Sequence, residues 1–308
     1  MKSKSITNYI LLFSIALIWG SQFMFNDIAL ESNISPVIIA MSRSIIGAIT
    51  LSIILYFSKE EKTSIDFKTY FILFLVGLFE ATIPLFLIIW GQQEVDSSIA
   101  AILTSTVPLF VIVLVAILKL EEMSINKVFG VILGFIAIVI LLGPKLANVD
   151  IGNMNLISNL AVLSGAFSFA IALILIKNIS HIPPIRSSKI ILTSASIQLA
   201  ILALIKHDFV YSNVNLSLKS ILAILALGIF AAGIVYLLYI ELIKKAGTVF
   251  TSFSNFLIPA VGLFLGVTFL DDKLEPSTFI ALFVLLISLF LSNGLSLRKI
   301  KNIILKKK

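Results

Sequence analysis

Apolar runs separated by short polar breaks fill this chain almost from end to end. The runs predict helices over 8–25, 36–57, 69–91, 97–118, 125–142, 156–176, 186–205, 218–240, 248–270 and 277–297. Each is roughly the length that ~30 Å of hydrocarbon demands of a helix. The breaks carry helix-start chemistry: Ser124 is placed to cap the fifth run, and Glu275-Pro276 reads as cap and first turn of the tenth.

The second five runs repeat the first. Residues 77–89 and 228–240 match at Gly77/Gly228, Phe79/Phe230, Ala81/Ala232, Ile83/Ile234, Leu87/Leu238 and Ile89/Ile240, all 151 positions apart. The same spacing carries Pro108 onto Pro259 and Glu121 onto Asp272. Five spans are an odd number, so the second copy lies upside down in the bilayer. Inverted repeats are a common secondary-transporter architecture, with substrate held between the copies near the midplane. The expectation is an all-α integral membrane protein of ten transmembrane helices. Two inverted five-helix repeats, 1–147 and 148–308, would each form one half.

Composition agrees. A hydrophobic fraction of 59% with 13% charged residues is far from soluble usage, and 308 residues have too little interior to hide that much apolar surface. The net charge of +7 suggests anionic partners until its placement is examined. With the N-terminus in the cytoplasm, eighteen Lys and Arg fall in cytoplasmic segments and four (Lys145, Lys206, Lys219, Lys273) in outer loops. That asymmetry puts both termini in the cytoplasm of a multi-pass cell-membrane protein. The tail from Arg298 to Lys308 reads as a positive stop after the last span rather than a nucleic-acid or lipid switch. Lys2 and Lys4 before an apolar run imitate a secretory signal, but Ile18-Trp19-Gly20-Ser21 is a poor cleavage site, so the first run is read as a retained helix.

The candidate chemistry lies within the spans. Glu80, midway along the third, is costly to bury ionised, about 2.5–3.5 kcal/mol on insertion scales. It therefore reads as a proton carrier, a counter-charge for a substrate ammonium, or a structural carboxylate. Arg43 in the second span pairs with Glu80, clamps a substrate carboxylate, extends to the headgroups or supports the helix packing; a pair would weaken the proton-carrier reading. Thr104-Ser105-Thr106 and Thr251-Ser252-Phe253-Ser254-Asn255 precede Pro108 and Pro259, where freed carbonyls need partners; Ser105 and Asn255 sit nearest the span centres. Trp19 and Gln22 share a face of the first span, and Tyr236 and Tyr239 on the eighth offer hydrogen bonds and an aromatic wall. Gly130-x3-Gly134 and Gly262-x3-Gly266 permit close helix contact, within one chain or in a homodimer. With no Cys, and with His181 and His207 in loops on opposite sides, neither a metal nor another cofactor is expected.

Leu17-Ile18-Trp19-Gly20-Ser21-Gln22-Phe23, Pro36 with Met41-Ser42-Arg43, the turn Glu121-Glu122-Met123-Ser124 through Gly130, and Asp272-Lys273-Leu274 together resemble the EamA-type drug/metabolite transporters over roughly 6–297. The resemblance implies two five-helix halves around a cavity lined by spans one, three, four, six, eight and nine. It also implies export of amino acids or similar small metabolites, with import by some relatives. Glu80 within the third span and Asp rather than Glu at 272 depart from the family pattern. Trp19, Gln22, Arg43, Glu80, Ser105, Tyr236 and Asn255 are the expected substrate contacts.

The expected activity is alternating-access transport of a small solute, with proton coupling or exchange as its energy source. No GK[ST] phosphate loop points to ATP hydrolysis, and neither H-E-x-x-H nor G-x-S-x-G supports an intramembrane enzyme. A receptor or assembly protein without transport is the alternative of another class, and the short loops offer it little surface.

Overall fold

Runs this apolar leave backbone N–H and C=O groups with no water to bind, so they must pair within each run as helix. The computed structural model describes residues 6–58, 65–120, 124–146, 154–179, 181–208, 214–246, 248–251 and 253–292. Among them the regular elements are all helical. They are α1 (Ile6–Leu30), α2 (Pro36–Phe57), α3 (Phe67–Gly91), α4 (Ser97–Ile117), α5 (Ile125–Leu146), α6 (Met154–Ile176), α7 (Pro184–Ile205), α8 (Leu218–Ala246), α9 (Ser254–Phe269) and α10 (Pro276–Ser292). The first eight are long and apolar enough to cross a bilayer, whereas α9 and α10 are shorter apolar helices. A separate turn, Thr248–Thr251, precedes α9. Glu121 and the basic tail from Arg298 lie outside the described residues.

Several boundaries depart from expectation, among them the start of α9, at Ser254 rather than 248, and the end of α5, at Leu146 rather than 142. α1 continues five residues beyond 25, taking in Asn26 and Asp27, and α8 runs on to Ala246. The fourth span is two helical pieces, Ser97–Thr104 and Val107–Ile117, because Pro108 cannot donate to the preceding turn. Hydroxyls cluster at that break and bond within their own helix: Thr104 and Ser105 donate to Ala100 O and Ala101 O at 2.8 and 2.7 Å, and Thr106 to Leu103 O at 2.6 Å.

Large apolar side chains such as Phe13, Phe71, Phe129 and Phe283 are exposed, while small and polar ones (Ser97, Asn159, Ser254, Ser288) are buried. This is the inside-out distribution of a bundle surrounded by lipid. α5 packs on α10 through Gly130 and Gly134, and Ser288 donates to Gly130 O at 2.6 Å. Gly262 and Gly266 of α9 likewise face Ala101 and Ser97–Ser98 of α4. Both glycine pairs thus serve contacts within one chain. A Cβ at Gly130 would meet the backbone of α10, Ser288 O and Ser292 N, at 2.9 Å. Gly130→Ala is therefore expected to cost about 1–3 kcal/mol by overpacking, read as a lower melting temperature in detergent.

One contact occurs twice with its partners exchanged. Gly77 of α3 lies against Ile191 O and Ser194 of α7, and Gly228 of α8 against Arg43 O and Ile46 of α2. Gly77 and Gly228 are 151 positions apart, but Ile191 and Ser194 follow Arg43 and Ile46 by 148, as Pro184 follows Pro36 at the two helix starts. The spacing thus shortens by three residues between these elements. Outside the bundle core, Asp66 caps α3, accepting from Thr69 N at 3.1 Å. Hydrogen bonds from Thr69 hold the Asp66 carboxyl below the usual carboxylate range. Its contribution is present above the unfolded-state value and fades as pH falls through the lowered folded value.

Candidate functional site

Two π-helical segments interrupt the bundle, Leu78–Thr82 in α3 and Leu227–Ile234 in α8, at positions related by the 151-residue spacing. Such segments re-aim side chains and recur at functional sites. The first carries Glu80. Tyr236, two residues past the second, donates its hydroxyl to Glu80 Oε1 at 3.0 Å. Glu80 Oε2 is buried with no partner. Leaving an acceptor of this strength unpaired costs about 1–3 kcal/mol or more.

Arg43 is buried on α2 and does not reach for the headgroups. Its Nη2 donates to Gln22 Oε1 of α1 at 2.8 Å, and its Nε is buried without a partner. Among the described residues Arg43 and Glu80 form no ion pair. Tyr236 and Glu80 are one bonded pair, joining α8 to α3, and Gln22 and Arg43 are another, joining α1 to α2. Beside the second pair lies a cavity of ≈10 Å³, room for about one water, lined by Gln22, Asn26, Arg43, Thr104 and Phe169 among others.

The other expected residues make contacts of their own. Trp19 packs at a tilt against Tyr239 with centroids 5.3 Å apart, forming an aromatic wall between α1 and α8. The Ser105 hydroxyl donates to Ala101 O of its own helix. Asn255, half-buried in the first turn of α9, bonds to none of the other six.

A polar group at one end of the bundle was missed in the sequence. Gln92 Nε2 donates to Phe23 O and Asp27 Oδ1 at 2.9 and 2.8 Å, and Asn26 Nδ2 donates to Gln92 Oε1 at 2.7 Å. Asn26 Oδ1 is buried and unpaired. Asp27 and Gln92 also line an open cleft of ≈460 Å³ with Glu31, Asn33, Ser35 and Gln93. The available signal was the four-residue step from Gln22 to Asn26, which puts both on one helix face. At the same end Asp272 accepts from Ser98 N at 3.0 Å, Ser98 Oγ at 2.5 Å and Ser97 Oγ at 3.3 Å. It caps α4 from across the bundle, where Asp96, the residue at the cap position, makes no side-chain cap bond. At the opposite end Tyr9, Phe250, Phe253 and Phe256 form a chain of rings with successive centroids 5.4–6.2 Å apart. Among the described residues no three His, Asp or Glu side chains gather as a metal site.

The EamA-like transporter family model matches the chain twice, over residues 6–143 and 156–294. An uncharacterized transporter of Bacillus subtilis, YoaV, is 24% identical over 284 residues, covering 91% of this chain and 94% of that protein. A WAT1-related protein of Arabidopsis thaliana is 27% identical over 101 residues, 32% of this chain and 27% of that one. A solved crystal structure superposes with a TM-score of 0.66 at 18% identity, covering 96% of this chain and all of that one, and so shares the fold.

Proposed function

This chain belongs to the EamA-like transporter family of the drug/metabolite superfamily, and from that premise we propose that it moves amino acids or related small zwitterions across the cytoplasmic membrane by alternating access. The reading rests on one observation: a buried cation on α2 and a buried carboxylate on α3, Arg43 and Glu80, each retain an unpaired atom. A substrate carboxylate on Arg43 Nε and a substrate ammonium on Glu80 Oε2 would answer both. Gln22 holds the guanidinium through Nη2, and Trp19 with Tyr239 would supply an apolar wall for the side chain.

The reading takes ten spans in two inverted halves with both termini cytoplasmic, which agrees with the placement of Lys and Arg. Export is the direction that the family resemblance favours; an importer or exchanger would use the same site. Glu80 is the group through which a proton would be coupled, taking it up when the ammonium leaves. Purified protein in liposomes preloaded with an unlabelled amino-acid mixture should then accumulate labelled glycine, alanine or leucine by counterflow. Folded protein that gives no counterflow for any zwitterion rejects the proposal.

A further inference from the structure

Glu80 sits between two pinned points. Ser168 of α6 donates to Phe79 O at 2.8 Å, on one side of it. On the other, Thr82 Oγ1 donates to Gln198 Oε1 of α7 at 2.6 Å. Gln198 Nε2 in turn donates to Phe74 O at 3.0 Å and to Ser194 Oγ at 3.1 Å, so this one amide ties the end of the π segment and the helical turn before it to α7.

These bonds are not a requirement of the π form itself. The second segment, Leu227–Ile234, makes the equivalent contact without them. There Gly233 stands at the position of Thr82, and the 148-residue spacing of α2 and α7 places Thr50 at the position of Gln198. A Cβ on Gly233 would touch Thr50 through its methyl and Cβ. The Thr50 hydroxyl turns away, donating to Ile46 O of its own helix at 2.8 Å. The residue at the position of Glu80 is Ala231. The hydrogen-bonded clamp of Thr82 and Gln198 therefore accompanies the carboxylate, and the half with alanine has glycine and a methyl in its place.

We infer that Thr82, Gln198 and Ser168 are positioning residues that fix the π segment on both sides of Glu80 and aim its carboxyl at Tyr236 and the substrate ammonium. This rests on the transport reading of Glu80, but its test does not need flux. Dicyclohexylcarbodiimide, an apolar reagent for membrane carboxyls, is applied to the detergent-purified full chain at fixed pH, and the Glu80 adduct is followed by mass spectrometry. Thr82→Val keeps the shape of the side chain and removes its hydroxyl, and Thr82→Ser keeps the hydroxyl. Losing one such bond should change the Glu80 labelling rate about threefold or more, or create labelling where the parent shows none. Thr82→Ser should restore the parent rate, and Ser168→Ala should repeat the effect from the other side, with melting temperatures confirming the fold. Smaller changes in both Thr82→Val and Ser168→Ala, or failure of Thr82→Ser to restore the rate, overturn the inference. Absent counterflow with altered labelling would reject the transport reading alone; unaltered labelling with normal counterflow would reject the positioning alone.

Discussion

Arg43→Met is expected to give a folded protein that binds and exchanges zwitterions at least about tenfold more weakly. Methionine fills much the same space and removes the desolvation cost of a buried charge that has no ion-pair partner among the described residues, which offsets the donor lost to Gln22 Oε1. What disappears is the buried cation, with its Nη2 held by Gln22 and its Nε free. A charge-assisted hydrogen bond contributes about 1.5–3 kcal/mol, so binding should weaken by roughly tenfold to more than a hundredfold. A thermal-shift titration with alanine separates the roles. A substrate clamp predicts an unchanged melting temperature without ligand and a reduced shift with it. A purely structural arginine predicts a lower melting temperature and a retained ligand shift.

Glu80→Gln should keep the local architecture and lose the dependence of transport on a proton gradient. The amide oxygen can still accept from Tyr236, so the 3.0 Å bond survives. The buried Oε2 position then carries an NH2 donor in place of an acceptor, which cannot take a proton and repels an ammonium. Net flux driven by a pH gradient should fall to the leak of empty liposomes. Affinity for a zwitterion should fall about tenfold or more, by the loss of a hydrogen bond to a charged group. A mutant that still concentrates solute in response to the gradient would remove Glu80 from the coupling step.

Much of this was legible from the chain because apolar run length is a direct record of contact with lipid. It is a poor record of where a helix ends. Asn26 and Asp27 look like a loop by hydropathy, yet they continue α1 because Gln92, 65 and 66 residues onward, supplies their hydrogen bonds. Glu80 stood out in the sequence because an acid is rare in such a run. Its clamp did not, since Gln198 and Ser168 are ordinary polar residues on helices joined to it only by folding. Ser105 stood out as a central hydroxyl, and its bond to Ala101 O in its own helix was not legible from position alone.

The two ends of the bundle are held together by different materials. Around Asp272 and Gln92, beside the open cleft, the helices are joined by separate bonds from hydroxyls and amides, each of which water can replace singly. Around Tyr9 and Phe250 they are joined by rings leaning on one another, for which water has nothing equivalent to offer. The first end can therefore be unfastened button by button, while the second must part as a whole or not at all.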